Sequence, residues 1–341
     1  MAEPPCGGRT RRLKILLTGG TGFLGGRIGE ALLAAGHSVV ALVRPGSPRR
    51  PPAGCIDAPG DVVDAGAVRR AAAGCDAIVH SAALVKVWMP DRSAFDAINV
   101  GGLRNILAAG VPRILYTSSF IALGPTDGTT AREDWVLPNR RPHNDYERTK
   151  TAALAEARHA VREGAPLITV FPGVVYGPGT LTDGSLMTKT VRDFLSHSLP
   201  GILGAGDRRI SYAYVDDVVR GHLLALEKGK PGGEYILGGE NRTILEVLEI
   251  LTRQTGIPPP TRRIPFFLAE SVGWAQRMRA HLTGREPLIT DEVVRIYRRE
   301  WAYDSSRAAA ALGYTITPLE EGLRRTIAWL RAQALVPGGA A

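Results

Sequence analysis

The sequence predicts an α/β protein, a doubly wound parallel sheet with a smaller, mostly helical C-terminal lobe. Three observations carry this reading. Short, fully apolar runs alternate with segments of helical periodicity through the first half of the chain. The first apolar run breaks into a glycine-rich turn that opens a helix. After about residue 173 the rhythm changes to Gly/Pro-rich stretches and helices. With 341 residues, 44% apolar and 22% charged, the chain suits one large α/β unit or two lobes; it is neither disordered nor collagen-like despite 40 Gly and 24 Pro.

Residues 1–13 are polar, basic and Gly/Pro-containing, and read as a loose tail. LKILLT (13–18) is the first strand; Leu24, Ile28, Ala31, Leu32 and Ala35 follow at helical spacing, with Gly36 at the stop. HSVVALV (37–43), AIVHSAA (77–83), RILYTSS (113–119) and LITVFP (167–172) are further strands, with helices expected near 63–73, 93–109 and 146–163. Strands apolar on both faces need cover on both faces, hence a parallel sheet spanning 14–175. Beyond it come helices near 185–196, 216–228 and 243–255, the strand EYILGG, and a Pro-rich break at Ile257–Pro260 before a helical C-terminal part. Residues 216–240 are expected to return to the first domain. That leaves 176–215 and 241–332 for a second lobe and 333–341 for a tail.

The net charge of +9 raises nucleic acid as a partner, but only six of the 42 cations are lysines and the arginines are scattered, with no basic helix. Nucleic acid is therefore not expected. Three cysteines without a CxxC suggest neither a disulfide framework nor zinc, and a reducing compartment, cytoplasmic or organellar. The apolar stretch after the basic N-terminus is only Ile15–Leu17, so no secretory signal is expected; seven histidines without ligand spacing suggest no metal.

TGGTGFLGG places Gly19, Gly22 and Gly25 between the first strand and first helix. About 0.5 chance matches to this spacing are expected, so the strand–turn–helix context carries the signal. Backbone N–H groups and the positive helix end there suit a pyrophosphate, with Gly19 for the turn, Gly22 for close approach and Gly25 for helix–strand packing. Thr21, Phe23 and Leu24 share that turn. Dinucleotide sites commonly put an acid after the second strand for the ribose 2′-OH; here Arg44 stands there, with Arg49 and Arg50 near, which tilts the local chemistry toward NADP unless Arg44 only stacks on adenine. Asp61 and Val62, in GDVVD after the third strand, are candidates for the adenine end.

NDYERTK puts Tyr146 and Lys150 four apart, on one face of a helix that Asn144 and Glu147 would cap as an N-x-x-E box. About 0.16 chance YxxxK matches are expected, and exposed helix residues would give the same spacing. The preceding strand, however, ends in Thr117, Ser118 and Ser119, hydroxyls at the carboxyl edge where α/β sheets bind ligands. A lysine ammonium beside tyrosine would lower the phenol's pKa; moving it from about 10 to about 7 takes roughly 4 kcal/mol. A phenolate can take an alcohol proton while hydride leaves the carbinol carbon, and a serine hydroxyl can hold the substrate oxygen.

TGGTGFLG, GDVVD, HSAA, YTSS, YxxxK and PGVVYGPG, in this order, resemble the extended short-chain dehydrogenase/reductase family. The resemblance implies a Rossmann-type fold, Ser119 as catalytic serine, Tyr146 as acid/base and Lys150 as the ribose-binding lysine. It also implies Asn99 as support of the active-site helix, Ala82 and Ala83 on the nicotinamide side, and Pro172, Gly173, Val174 and Val175 at the carboxamide. NVGGLRNIL, YTSSFIALGPTDG, FPGVVYGPGTLT and VDDVVRGHLLALEKG are most similar to plant farnesol dehydrogenases and more loosely to dihydroflavonol-reductase-like proteins. These imply oxidation of an allylic prenyl alcohol to its aldehyde, with NAD in that family, while the wider family resemblance implies pairing into a homodimer through helices near the YxxxK segment.

Trp88, Phe120 and Phe194 are candidates for an apolar wall on the catalytic side, which suits a lipid-like alcohol better than a sugar nucleotide. Arg208 and Arg209, ahead of YVDD, are the counter-signal, because sugar-nucleotide relatives carry an arginine there for phosphate. An NAD-dependent sugar-nucleotide epimerase and an NADPH-dependent dihydroflavonol-type reductase are therefore the alternatives. A dinucleotide sensor could dispense with the tyrosine and lysine, so their presence counts against it. Phe267, Trp274, Met278 and Leu282 fall at helical spacing in 265–282, either as a helix packed on the lobe or as a lid or membrane-surface helix.

Overall fold

The computed structural model describes residues 11–135, 137 and 140–336. The apolar runs become Lys14–Thr18 (β1), Ser38–Val43 (β2), Ile56–Pro59 (β3), Ala77–His80 (β4), Ile114–Thr117 (β5) and Leu167–Pro172 (β6). Of the further strands, Val174–Tyr176 (β7), Ile202–Leu203 (β8), Ile210–Tyr214 (β9), Glu234–Leu237 (β10), Glu240–Arg242 (β11) and Arg263–Ile264 (β12), only β10 joins the first six. The seven form a wholly parallel sheet in the order β3-β2-β1-β4-β5-β6-β10. The chain runs outward one way from β1 and then restarts on its other side at β4. The carboxyl ends of β1 and β4 therefore diverge into a crevice, where open α/β sheets take ligands.

Alternation along the strands sends successive side chains to opposite faces, and both faces are covered. Ile15 and Leu17 pack with Ile28 and Leu32 of Phe23–Ala34 (α1), while Leu16 packs on the other side with Val68 of Ala65–Ala72 (α2). The segment expected as one helix over 93–109 is divided into Ser93–Asp96 (α3), a π-helical turn at Ala97–Gly101 and Gly102–Leu107 (α4). Asp145–Arg162 (α5) lies on the same face as α4, and its Ala153 and Ala157 face Leu103 and Ile106. On the α1 face, Val215–Lys228 (α7) and Ser306–Leu312 (α11) complete the cover.

The remaining strands and helices build a second core beyond the carboxyl edge. Strands β11, β9 and β7 form a small mixed sheet, and β8 pairs with β12. Around them lie Leu186–Leu195 (α6), Ile244–Thr255 (α8), Phe266–Thr283 (α9), Asp291–Tyr297 (α10) and Leu319–Ala332 (α12). Tyr176, Val191, Leu251, Trp301, Leu323 and Leu330 meet at the centre of this core.

Candidate active site

At the end of β1, Gly19 has φ +77°, and a Cβ there would stand 2.7 Å from the Ala82 nitrogen. Gly22 N–H closes the turn on the Gly19 carbonyl at 2.9 Å, and a side chain at Gly25 would overlap that same carbonyl. Helix α1 thus starts hard against the turn. Its N-cap, Gly22, offers no side-chain acceptor, and its first turn carries no acid. The protein supplies no negative charge to the positive helix end, which fits a bound pyrophosphate. Phe23 is buried, its ring against Gly179, so only its backbone belongs to this cradle; Thr21 and Leu24 are half-buried. Hydrogen bonds stitch the loop after β4 to the turn: Ser81 Oγ donates to the Thr18 carbonyl at 2.8 Å and Ala82 N–H to Thr18 Oγ1 at 3.3 Å. Ala82 and Ala83 are half-exposed beside it.

At the adenosine corner Arg44 is exposed directly after β2 and has no ion-pair partner among the described residues. The Asp61 carboxylate accepts the Val63 N–H at 3.2 Å within its own turn. The Val62 side chain is buried against Gly102 and its carbonyl is taken by Asn105 at 2.8 Å, so only its backbone N–H is left for the adenine end.

Ser119 follows β5 and caps a short 3-10 turn at Phe120–Ala122. Tyr146 sits in the first turn of α5, where burial pushes its phenol up to about 12 and the nearby Ser119 hydroxyl pulls the other way. The two hydroxyls are therefore brought together at the carboxyl edge. Lys150 lies one turn on, 3% exposed, and burial lowers it to about 7. Its ammonium donates to the Thr117 carbonyl at 3.1 Å and stands 5.4 Å over the Tyr116 ring. The expectation that Lys150 lowers the tyrosine pKa is not met in this arrangement, because the ammonium is drawn to a backbone carbonyl and an aromatic face, and burial dominates the phenol. His80, hydrogen-bonded to Thr18 at 2.8 Å, is pushed down to about 3 by burial and then by Lys150, and so is neutral.

Asn99, within the π turn, clamps this site from below. Its Oδ1 accepts the Leu84 N–H at 2.8 Å, and its Nδ2 donates to the Leu84 carbonyl at 3.3 Å and to Thr149 Oγ1 at 3.0 Å. Thr149 lies between Tyr146 and Lys150, so Asn99 ties the loop after β4 to α5 as a positioning residue. Sequence reasoning missed a second clamp. Asn144 caps α5 as expected, accepting the Glu147 N–H at 2.8 Å, but Glu147 does not complete the box. Its carboxylate, wholly buried, accepts from His143 N–H (2.8 Å), His143 Nδ1 (3.1 Å) and Arg140 Nη2 (2.7 Å). Arg140 also donates to the Ala122 and Ile121 carbonyls at 2.8 and 2.5 Å, joining the Ser119 turn to the Tyr146 helix. No local pattern marks this arginine in sequence.

Two substrate candidates are corrected. The Phe120 ring packs edge-on against Trp301 and Tyr303, and Phe194 is 2% exposed inside the same core; both rings turn into the second lobe because its apolar elements cover them. Trp88 is buried with its Nε1 unpartnered, its ring 5.7 Å from that of His281. Pro172 ends β6, and Gly173 is held where a side chain would press on the Ser211 carbonyl; Val174 and Val175 follow half-exposed. Arg209 is committed to Glu300 at 3.2 Å, and Arg208 lies 3.5 Å from Asp207. Among the described residues no cluster of His, Cys, Asp and Glu could hold a metal.

A glycine cradle, a Ser–Tyr pair and a buried lysine on a doubly wound sheet define an NAD(P)-dependent oxidoreductase. The NAD dependent epimerase/dehydratase family matches residues 15–238, and the chain belongs to it, among the extended short-chain dehydrogenases/reductases. It is 33% identical over 334 residues to a Synechocystis protein that carries the name of a dihydroflavonol 4-reductase, covering 94% of this chain and 95% of that one. Over 94% of this chain and 99% of the relative it is 31% identical to sterol demethylase protein B of Methylococcus capsulatus. Similarity to the 2-alkyl-3-oxoalkanoate reductase of Stenotrophomonas maltophilia is also 31%, over 92% and 98%. Among solved structures, gox2253 superposes with a TM-score of 0.78 at 30% identity, covering 96% of this chain and all of that one. A Thermus thermophilus UDP-glucose 4-epimerase bound to NAD does so with 0.73 at 25%, covering 94% and 99%.

Proposed function

We propose that the protein interconverts an apolar alcohol and its carbonyl partner, with Tyr146 as acid/base and Ser119 holding the substrate oxygen. The observation that carries this is the placement of Ser119 and Tyr146 at the carboxyl edge, beside the glycine turn, with the serine hydroxyl near enough to the phenol to oppose the rise that burial imposes on it. A nicotinamide dinucleotide, NAD or NADP, supplies or accepts the hydride when bound. The turn at Gly19, Gly22 and Gly25 would hold its pyrophosphate, Lys150 its ribose, and Ala82, Ala83 and the Pro172–Val175 segment its nicotinamide end. With its phenol held protonated, Tyr146 gives a proton to a carbonyl oxygen in reduction and recovers it in oxidation. Asn99 holds α5 against the loop after β4, fixing where that proton is delivered.

An apolar substrate is favoured because Arg209, where sugar-nucleotide enzymes keep a phosphate-binding arginine, is already paired with Glu300. Two relatives are named for sterol and alkyl-oxoalkanoate chemistry, and prenyl alcohols of the farnesol type belong to the same class. Unpartnered Arg44 supports NADP. The test is an absorbance screen at the reduced-nicotinamide band, crossing both cofactors with farnesol, a 3β-hydroxysteroid, a 2-alkyl-3-oxoalkanoate, a flavonoid and UDP-glucose. Turnover of an apolar substrate is expected; epimerisation of UDP-glucose without net redox would reverse the assignment. Arg44→Asp is expected to shift preference toward NAD, and an unchanged ratio would remove Arg44 from the choice.

A further inference from the structure

Helix α9 is packed inside out. Its buried residues are the small ones, Ala269, Gly273 and Ala280; a side chain at Gly273 would overlap the backbone of Thr290 and Asp291 at the start of α10. Arg277 fixes that seam through Asp291 at 2.7 Å. The large apolar residues face outward: Phe267 is 73% exposed, Trp274 55% and Leu282 86%, with Met278 beside them. Their spacing of seven, four and four residues draws one stripe along the helix, roughly 22 Å long at 1.5 Å per residue. Leu268, Val272 and Leu288 widen it.

The charges around the stripe are one-sided. Glu270 is neutralised by Arg298 at 2.7 Å, and Glu286 by Lys86 at 3.0 Å. Arg262, Arg279 and Arg285 are exposed and have no ion-pair partner among the described residues. An apolar stripe rimmed by free guanidinium groups matches the boundary between anionic headgroups and acyl chains. A second copy fits less well, since symmetric pairing would set arginine rim against arginine rim. Among the described residues no helix is long and apolar enough to cross a membrane, so such contact lies in the surface plane.

We propose that α9 docks the protein on a bilayer surface containing anionic lipid. The docking face borders the loop that follows β4: His281 meets Trp88 with ring centroids 5.7 Å apart, and Glu286 meets Lys86. A lipid-dissolved substrate would then leave the bilayer next to Ala82 and Ala83. The docking itself does not depend on the reaction proposed above, and its test needs no substrate.

The experiment is flotation of the full chain with vesicles of phosphatidylcholine alone and of phosphatidylcholine with about 30% phosphatidylglycerol. Flotation is expected on the anionic vesicles at low salt, with affinity roughly 100-fold weaker on neutral ones, from about 1 kcal/mol for each of three arginines. Brominated acyl chains should quench the tryptophan fluorescence of the wild type and not of Trp274→Phe. The variant Phe267→Ser/Trp274→Ser/Leu282→Ser should stay in solution while keeping its thermal midpoint, because all three side chains point to solvent in the unbound fold. Absence of flotation on anionic vesicles, equal flotation on neutral ones, or undiminished flotation of the folded triple variant would overturn the proposal. So would a wild-type oligomer that the triple variant dissociates, which would assign the face to a second copy.

Discussion

Replacing Arg140 by methionine isolates the contact that sets Ser119 against Tyr146. The guanidinium is 10% exposed and makes four hydrogen bonds, two to Glu147 and two to the carbonyls of Ile121 and Ala122. Methionine keeps the stem and removes every donor, leaving a fully buried carboxylate with only His143. Breaking one side of a buried pair costs about 3–5 kcal/mol. At about 2.1 cal/mol/K per residue the chain loses roughly 1.4 °C of Tm per kcal/mol, so Tm should fall by about 4–7 °C. The effect should grow in acid. Burial pushes the Glu147 carboxyl up, but His143 and Arg140 outweigh it and hold the group below its usual 4.5. Its contribution is therefore present above 4.5 and lost as pH falls through the lower folded value, and Arg140→Met should move that loss to higher pH. Because Arg140 touches the serine turn and the tyrosine helix, kcat should drop about 10- to 100-fold while dinucleotide affinity holds. Arg140→Lys should recover only part of both losses, since lysine lacks the planar fork. Thermal unfolding with kcat and dinucleotide titration checks all of this. A Tm within 1 °C of wild type and an unchanged kcat would show that the clamp does not exist.

Three further outcomes follow from the same geometry. Gly25→Ala places a methyl on the Gly19 carbonyl and should cost about 1–3 kcal/mol and weaken dinucleotide binding at least tenfold, read by calorimetry. Burial lowers Lys150 to about 7, so dinucleotide affinity should weaken as pH rises through 7 and the ammonium discharges; Lys150→Arg, charged throughout, should flatten the dependence. Between pH 7 and 10.5 the unfolded chain binds a proton at this position that the native chain does not, so stability should rise with pH across that window, as denaturant titrations can show.

Much of this arrangement was legible because it is local. Apolar runs without alternation announced a covered parallel sheet, and the glycine turn and YxxxK each lie within one turn of chain. Placing Ser119 at the carboxyl edge needed only the rule that β5 ends there, and its partnership with Tyr146 came from the family resemblance. What the sequence did not disclose is long-range or competitive. Glu147 carries a capping-box signature, yet its carboxylate goes to Arg140 and His143, because the buried ion pair and the carbonyls of Ile121 and Ala122 are gathered only in the folded chain. The π turn around Asn99 inserts where a straight helix is the local preference, held by contacts to Leu84 and Thr149. Phe120 and Phe194 read as wall residues by position, but the second core absorbs them.

Tyr146→Phe is the sharpest single measurement, since it deletes one oxygen and leaves the ring, the helix and the glycine cradle in place. Turnover of whichever apolar substrate the screen identifies should fall at least 100-fold, with the dinucleotide dissociation constant unchanged. A phenylalanine enzyme that turns over at the wild-type rate would mean that proton transfer is done by some other group.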